Sequence, residues 1–162
     1  MRTVLLLMAA WVLSGVAGQA APADVHWQER PFFPRRANQK VPPPQFYAPT
    51  AEVPAGAVVT IKVVESPKGA ALVLHDFLGG PVFSRGIVKE FSHLSAGQVL
   101  TWKVDKAMKV GLTTRAGEGE VKEPGTCAGL EKKEGGDVMK YTFGDRGKMV
   151  LEVEVHEEGS RE

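Results

Sequence analysis

The sequence predicts an all-β protein: a single Greek-key β-sandwich, preceded by a signal peptide and an extended Pro-rich arm. Three observations carry that expectation. Seven short apolar runs follow one another between residues 58 and 155, rich in β-branched side chains and several alternating apolar and polar with period 2. Turn chemistry separates them, and no stretch shows a convincing helical period. Once the leader and arm are set aside, roughly 100 residues remain, the size of one sandwich domain. The whole chain has 162 residues, 20 Lys+Arg against 19 Asp+Glu, 43% hydrophobic residues and one Cys. The length allows one domain. The apolar fraction excludes a wholly disordered chain, and the near-neutral charge gives no global attraction to nucleic acid. The single Cys excludes an intramolecular disulfide framework and a cysteine-rich zinc site.

Residues 1–20 have the form of a signal peptide. Arg2 provides the positive start, and Val4–Leu13 is an uncharged apolar run. A peptidase requires small side chains at positions −3 and −1, which Gly18 and Ala20 supply. Cleavage is expected after Ala20, with Gly18 as the next choice. The apolar run is shorter than the ~20 residues a membrane span needs, and no later stretch qualifies. A secreted or periplasmic location follows, with no transmembrane segment after cleavage. Removing Arg2 leaves 19 basic and 19 acidic residues.

Residues 21–54 form the arm, with eight of the eleven prolines. Proline fixes φ and lacks a backbone donor, so neither a helix nor a central strand is expected here. The arm interleaves Trp27, Phe32, Phe33, Phe46 and Tyr47 with Arg30, Arg35, Arg36 and Lys40. Two readings stand side by side: an arm draped over its own domain, and a docking arm that orders on a partner.

The domain itself is expected over 55–156. Its strands are Val58–Val64, Ala70–Leu78, Ile87–Leu94, Val99–Val104, Met108–Thr114, Val138–Phe143 and Lys148–Val155. Met149, Leu151, Val153 and Val155 share one face of the last run; Leu100, Trp102 and Val104 share another, as do Met139, Tyr141 and Phe143. Antiparallel pairing with one wetted face explains such alternation. The Gly-, Glu- and Lys-rich stretch Arg115–Lys133 reads as a long loop, with at most a short strand at Glu120–Lys122. Residues 157–162 are a charged tail.

Leu94–Val104 (LSAGQVLTWKV) resembles the Gly-then-Trp strand of cupredoxin domains, and Tyr141-Thr142-Phe143 with Gly147 and the strand to Val155 resembles their closing region. The resemblance covers about 62 residues, Leu94–Val155. It implies a cupredoxin-like sandwich but not its copper: a blue-copper site takes two imidazoles and a thiolate. The loop before the last strand, Gly144–Met149, holds neither His nor Cys. Asp137-x-x-x-Tyr141-x-Phe143 resembles the corner of immunoglobulin-like sandwiches, with Phe143 where the family places Cys. Trp102 would then be the buried Trp of that fold.

Chemistry is sparse. No two of His26, His75, His93 and His156 sit at i,i+2 or i,i+4. His75 and His93 with Cys127 are the candidates for a soft metal site suited to copper; no cofactor is otherwise expected. Cys127 lies in a Gly-rich segment near Lys122, Lys132 and Lys133, where exposure and nearby cations would lower its pKa. A free thiol and a disulfide-linked dimer are both open to it. No nucleophile elbow, zinc-protease helix or phosphate loop is present, and the adjacent His75 and Asp76 would point to opposite faces of a strand. The expectation is therefore a non-enzyme. The arm's cations and aromatics superficially suit nucleic acid, but export and neutral charge argue against it. The sequence points to an exported, non-enzymatic accessory or protein-binding subunit, contacting its partner through Trp27, Phe32, Phe33, Arg35, Arg36, Phe46 and Tyr47. The alternative is a small copper-handling protein of cupredoxin-like descent with a rebuilt or lost site.

Overall fold

The computed structural model describes residues 21–32, 46–76, 86–117 and 122–158. The expected signal peptide, Phe33, Arg35, Arg36 and the last four residues of the tail lie outside these ranges. Among the described residues ten strands follow in order: β1 Gln28–Phe32, β2 Phe46–Val53, β3 Val58–Glu65, β4 Ala71–Asp76, β5 Ile87–Phe91, β6 Val99–Lys103, β7 Met108–Ala116, β8 Glu123–Lys133, β9 Gly136–Thr142 and β10 Lys148–His156. A 3-10 turn, Gly144–Arg146, links the last two. Among the described residues there is no α-helix, and no helix long and apolar enough to cross a membrane.

All pairings between these strands are antiparallel. The main path runs β1-β2-β7-β8-β9-β10-β3-β6, and β7 also carries a branch through β4 to β5. Two ladders result, joined at β8. The amino-terminal part of β8 pairs β7 (Thr114↔Gly125), whereas the rest pairs β9 (Leu130↔Met139). Between Cys127 and Gly129 the register shifts by a bulge, which lets one strand leave one ladder and enter the other.

Seven strands fall where the apolar runs place them, and in those that alternate the alternation becomes burial. In β10, Met149, Leu151, Val153 and Val155 are buried while Glu152 and Glu154 face water. In β9, Met139 and Tyr141 are buried, followed by Phe143; in β6, Leu100 is buried and Trp102 packs partly against the core. Burying each large aliphatic side chain contributes about 1.5–3 kcal/mol. The ion pair Lys62–Glu152, at 3.9 Å on the wet face, adds little by comparison.

Three strands depart from expectation. β1 and β2 lie in the Pro-rich arm, and β2 is flanked by β1 and β7. The ladder accommodates the prolines by position. Pro31 sits on the terminal strand β1, and pairing of β2 with β7 begins at Thr50, just past Pro49. Upstream of β1, Val25 and Trp27 are buried in the common core. Ala23 N–H donates to the Val155 carbonyl at 2.9 Å and Glu157 N–H to that of Ala21 at 3.0 Å. This stretch of the arm is therefore part of the fold.

β8 is the third departure. A long loop is expected over Arg115–Lys133; instead β7 continues to Ala116 and β8 begins at Glu123. Composition misleads here because β8 supplies backbone more than side chains. At Gly125 a Cβ would overlap the Thr114 hydroxyl and approach the Phe143 ring to 2.6 Å, so only glycine allows β7, β8 and Phe143 to meet.

One cluster of buried side chains draws on both ladders: Ala51, Val53, Leu72, Leu74, Val110 and Leu112 from one, Val59, Ile61, Val63, Tyr141 and Leu151 from the other. Tyr141 ties them, its fully buried hydroxyl donating to the Leu112 carbonyl at 2.9 Å. Burial, with Cys127 nearby, pushes the Tyr141 phenol well above its usual pKa, so it stays a neutral donor.

Candidate functional site

The seven expected contact residues do not act as one group. Trp27, only 8% exposed, is a core side chain. Phe33, Arg35 and Arg36 lie outside the described residues. The remaining three lie on the β1–β2 ladder, where Phe32 pairs in register with Phe46 on one face and Tyr47, opposite Pro31, points to the other face. Phe46 is half-buried, and Tyr47 is 38% exposed, one of few large apolar side chains in the open among the described residues. The Tyr47 backbone N–H donates to Thr126 Oγ1 on β8 at 3.1 Å, which fixes this end of β2 to the junction of the ladders. An aromatic pair position at the end of the sheet path thus stands on a rigid support.

Cys127 is the clearest correction. Cations and exposure were expected to activate it, yet the thiol is buried at 6% exposure. Its Sγ lies 3.6 Å from Glu29 Oε1 and 3.5 Å from the Gly129 carbonyl, as a weak donor to both. Burial pushes its pKa up to about 12, with the Glu29 carboxylate adding to the rise. A buried neutral thiol is a poor nucleophile and cannot reach a second chain without local opening.

The copper candidates occupy three separate places. His75 stands on β4, its Nε2 hydrogen-bonded to Thr113 Oγ1 across to β7. Desolvation lowers its pKa from the usual 6.5 to about 4, helped by the Arg115 charge and opposed by Glu90. His93 follows β5 on the wall of a cleft, and Cys127 sits in the β8 bulge. Among the described residues no three His, Cys, Asp or Glu side chains are grouped to hold a metal ion.

That cleft is the feature composition and spacing missed. It lies over β4 between β5 and β7, has a volume of ≈ 500 Å3, and is lined by Glu90, Ser92, His93, Arg115 and Lys122 above the small side chain of Ala71. Arg115 Nη2 reaches Glu90 Oε2 at 3.1 Å across β4, since Ala71 pairs Arg115 on one side and Val73 pairs Glu90 on the other. The signal available in the sequence was a charge at an outward position of each flanking strand. Assigning Arg115 to a loop hid it.

No protein family, curated protein or solved structure matches the chain. The class that the fold defines is an antiparallel all-β protein with one core shared between two ladders.

Proposed function

We propose that the chain is an exported, non-enzymatic β-sandwich that binds another protein through the β1–β2 end of its sheet. The sandwich reading rests on the shared core and on the Tyr141–Leu112 hydrogen bond linking strands that do not pair. The binding reading is carried by one observation: at the terminal pair of strands the register of β1 with β2 sets Phe32 beside Phe46 on one face and leaves Tyr47 exposed on the other. Terminal strands offer unpaired backbone groups to a partner, and exposed aromatics supply its anchors. Phe33, Arg35 and Arg36 follow β1 directly in the sequence, adding an aromatic and two cations to the same neighbourhood of the chain. Export rests on residues 1–20, and amino-terminal sequencing of the processed protein should begin at Ala21; retention of Met1 would remove export from the proposal.

The test is site-specific photocrosslinking in the native host. A crosslinker at position 47 should capture one partner, and one at Lys148, exposed on β10, should not. Tyr47→Ser should reduce capture about tenfold, the loss of one interfacial anchor, while shifting stability by less than about 0.5 kcal/mol, as surface changes do. Equal capture from both positions, or capture undiminished by Tyr47→Ser, would sink the reading.

A further inference from the structure

We propose that the cleft over β4 is a second binding site, which takes a small ligand bearing a single carboxylate, held between Arg115 and Lys122. It shares no residue with the β1–β2 surface.

The argument begins with shape. Ala71 is the small residue of β4 between long side chains on both neighbouring strands, so the sheet surface dips there into a space of ≈ 500 Å3. That volume lies within the range of small-molecule sites, roughly 300–1,000 Å3. Glycines at positive φ, Gly69 at 75° and Gly117 at 106°, form parts of the rim where a Cβ would be strained.

Charge comes next. Among the described residues, two basic side chains and one acidic line the cleft beside His93: Arg115, Lys122 and Glu90. Both oxygens of Glu90 are used internally, Oε2 by Arg115 at 3.1 Å and Oε1 by the Ser92 hydroxyl at 3.5 Å. Glu90 therefore orients the guanidinium rather than offering itself to a ligand. A guanidinium has five N–H donors in a planar fork, and among the described residues no acceptor besides Glu90 lies on it. Among the described lining residues, two cations stand against one carboxylate, a local surplus of one positive charge. One monoanionic carboxylate balances that surplus; a dianionic phosphate would exceed it beside Glu90.

The third observation is strain. His93 has φ 56°, the one non-glycine residue with positive φ among the described residues. The next residue explains how it is held: Leu94 is buried, and its N–H donates to the Ala70 carbonyl at 3.0 Å. This left-handed turn places His93 on the cleft wall although Leu94 enters the core. Strained non-glycine backbone concentrates at ligand sites, where surrounding structure over-determines it.

The test uses the processed full-length protein at low ionic strength, with three matched probes: D-glucuronate, neutral D-glucose and glucose 6-phosphate. Binding is followed by amide NMR shifts. Glucuronate should shift His93, Arg115 and Lys122, and glucose should not. Arg115→Gln and Lys122→Gln should each weaken glucuronate about tenfold, the loss of a charge-assisted hydrogen bond. Arg115→Lys should recover only part of that affinity, because charge returns without the fork. Lys122 is exposed, so its variant tests the site even if Arg115→Gln disturbs folding. The proposal is overturned by absence of glucuronate binding, by an equal response to glucose, or by unchanged affinity in Lys122→Gln. Preference for glucose 6-phosphate would overturn the carboxylate assignment. Tyr47→Ser should leave glucuronate binding unchanged; loss on that variant would show that the two sites are not independent.

Discussion

The two ladders that meet at β8 follow different rules. In the ladder of β6, β3, β10 and β9, burial alternates strictly along β10: Leu151 and Val153 are buried and Glu152 and Glu154 exposed. In the ladder of β2, β7 and β4, consecutive residues are buried. Leu72, Val73 and Leu74 are all buried on β4, as are Gly111 to Thr114 on β7 and Ala48 to Ala51 on β2. The first ladder has one wet face, so its sequence alternates. The second has both faces covered over much of its length, so small and polar residues such as Ala48, Thr50 and Thr113 are buried beside large apolar ones. Alternation is a record of solvent on one side, and it fades wherever both sides are dry.

The largest test of this contrast is a substitution pair on each ladder. On β10, Leu151→Ala should cost about 2–5 kcal/mol, and the adjacent Glu152→Ala less than about 0.5 kcal/mol. On β4, Leu74→Ala should cost about as much as Leu151→Ala, but the adjacent Val73→Ala should also cost more than about 1 kcal/mol. Urea unfolding midpoints measure all four; a neutral Val73→Ala would show that the outer face of β4 is wet.

Gly125→Ala probes the seam between the ladders. The added Cβ meets Thr114 and the Phe143 ring, and overpacking of this kind costs about 1–3 kcal/mol. Thermal unfolding that matches the parent would mean that β7 and β8 can separate freely.

Cys127 lies at the same seam. Its folded pKa of about 12 stands above the unfolded value near 9. The stability this adds is fully present below about pH 9 and is lost as pH rises toward 12, where only the unfolded chain has released its proton at first. At neutral pH, alkylation of the folded protein should be at least about a thousandfold slower than in denaturant, since it requires opening. Rapid labelling of the folded chain would contradict the closed seam.

His75 reports on the outer side of the second ladder. The unfolded chain takes up a proton below the usual 6.5, whereas folded His75 stays neutral to about 4. Stability is therefore full above pH 6.5 and falls as pH drops toward 4, by at most about 1.4 kcal/mol per pH unit for one proton. His75→Gln should flatten this segment of the pH profile; an unchanged slope would place the titration elsewhere.

The smallest effect is a gain. Thr114 Oγ1 is buried with no hydrogen-bond partner among the described residues. Thr114→Val keeps the shape and removes the orphaned hydroxyl, so stabilisation by about 1 kcal/mol is expected. A loss of similar size would reveal a partner for that oxygen.

Legibility followed solvent. β3, β6, β9 and β10 could be read because each pairs an apolar face with a wet one, and β4, β5 and β7 because their apolar runs are bounded by turns. β1 and β2 were hidden by prolines, whose compatibility with a strand depends on where the neighbouring ladder begins. β8 was hidden because Gly125 and Gly129 are there for close approach and for a bulge, and glycine in a sequence equally marks a loop. For the candidate sites, Phe46 and Tyr47 were identifiable as types, but their register with β1 was not. Arg115 and Glu90 were visible only as two charges 25 residues apart.

By itself, the sequence determined the all-β class, the inward sets of β6, β9 and β10, and the absence of any recognisable catalytic motif. These are local properties: period-2 patterning, turn residues and composition act within a few positions. Tertiary structure alone decided that Trp27 is core, that Cys127 is a neutral buried thiol, and that Arg115 crosses β4 to meet Glu90. Each of those depends on which strands become neighbours, and neighbours are chosen by how the whole apolar surface is buried.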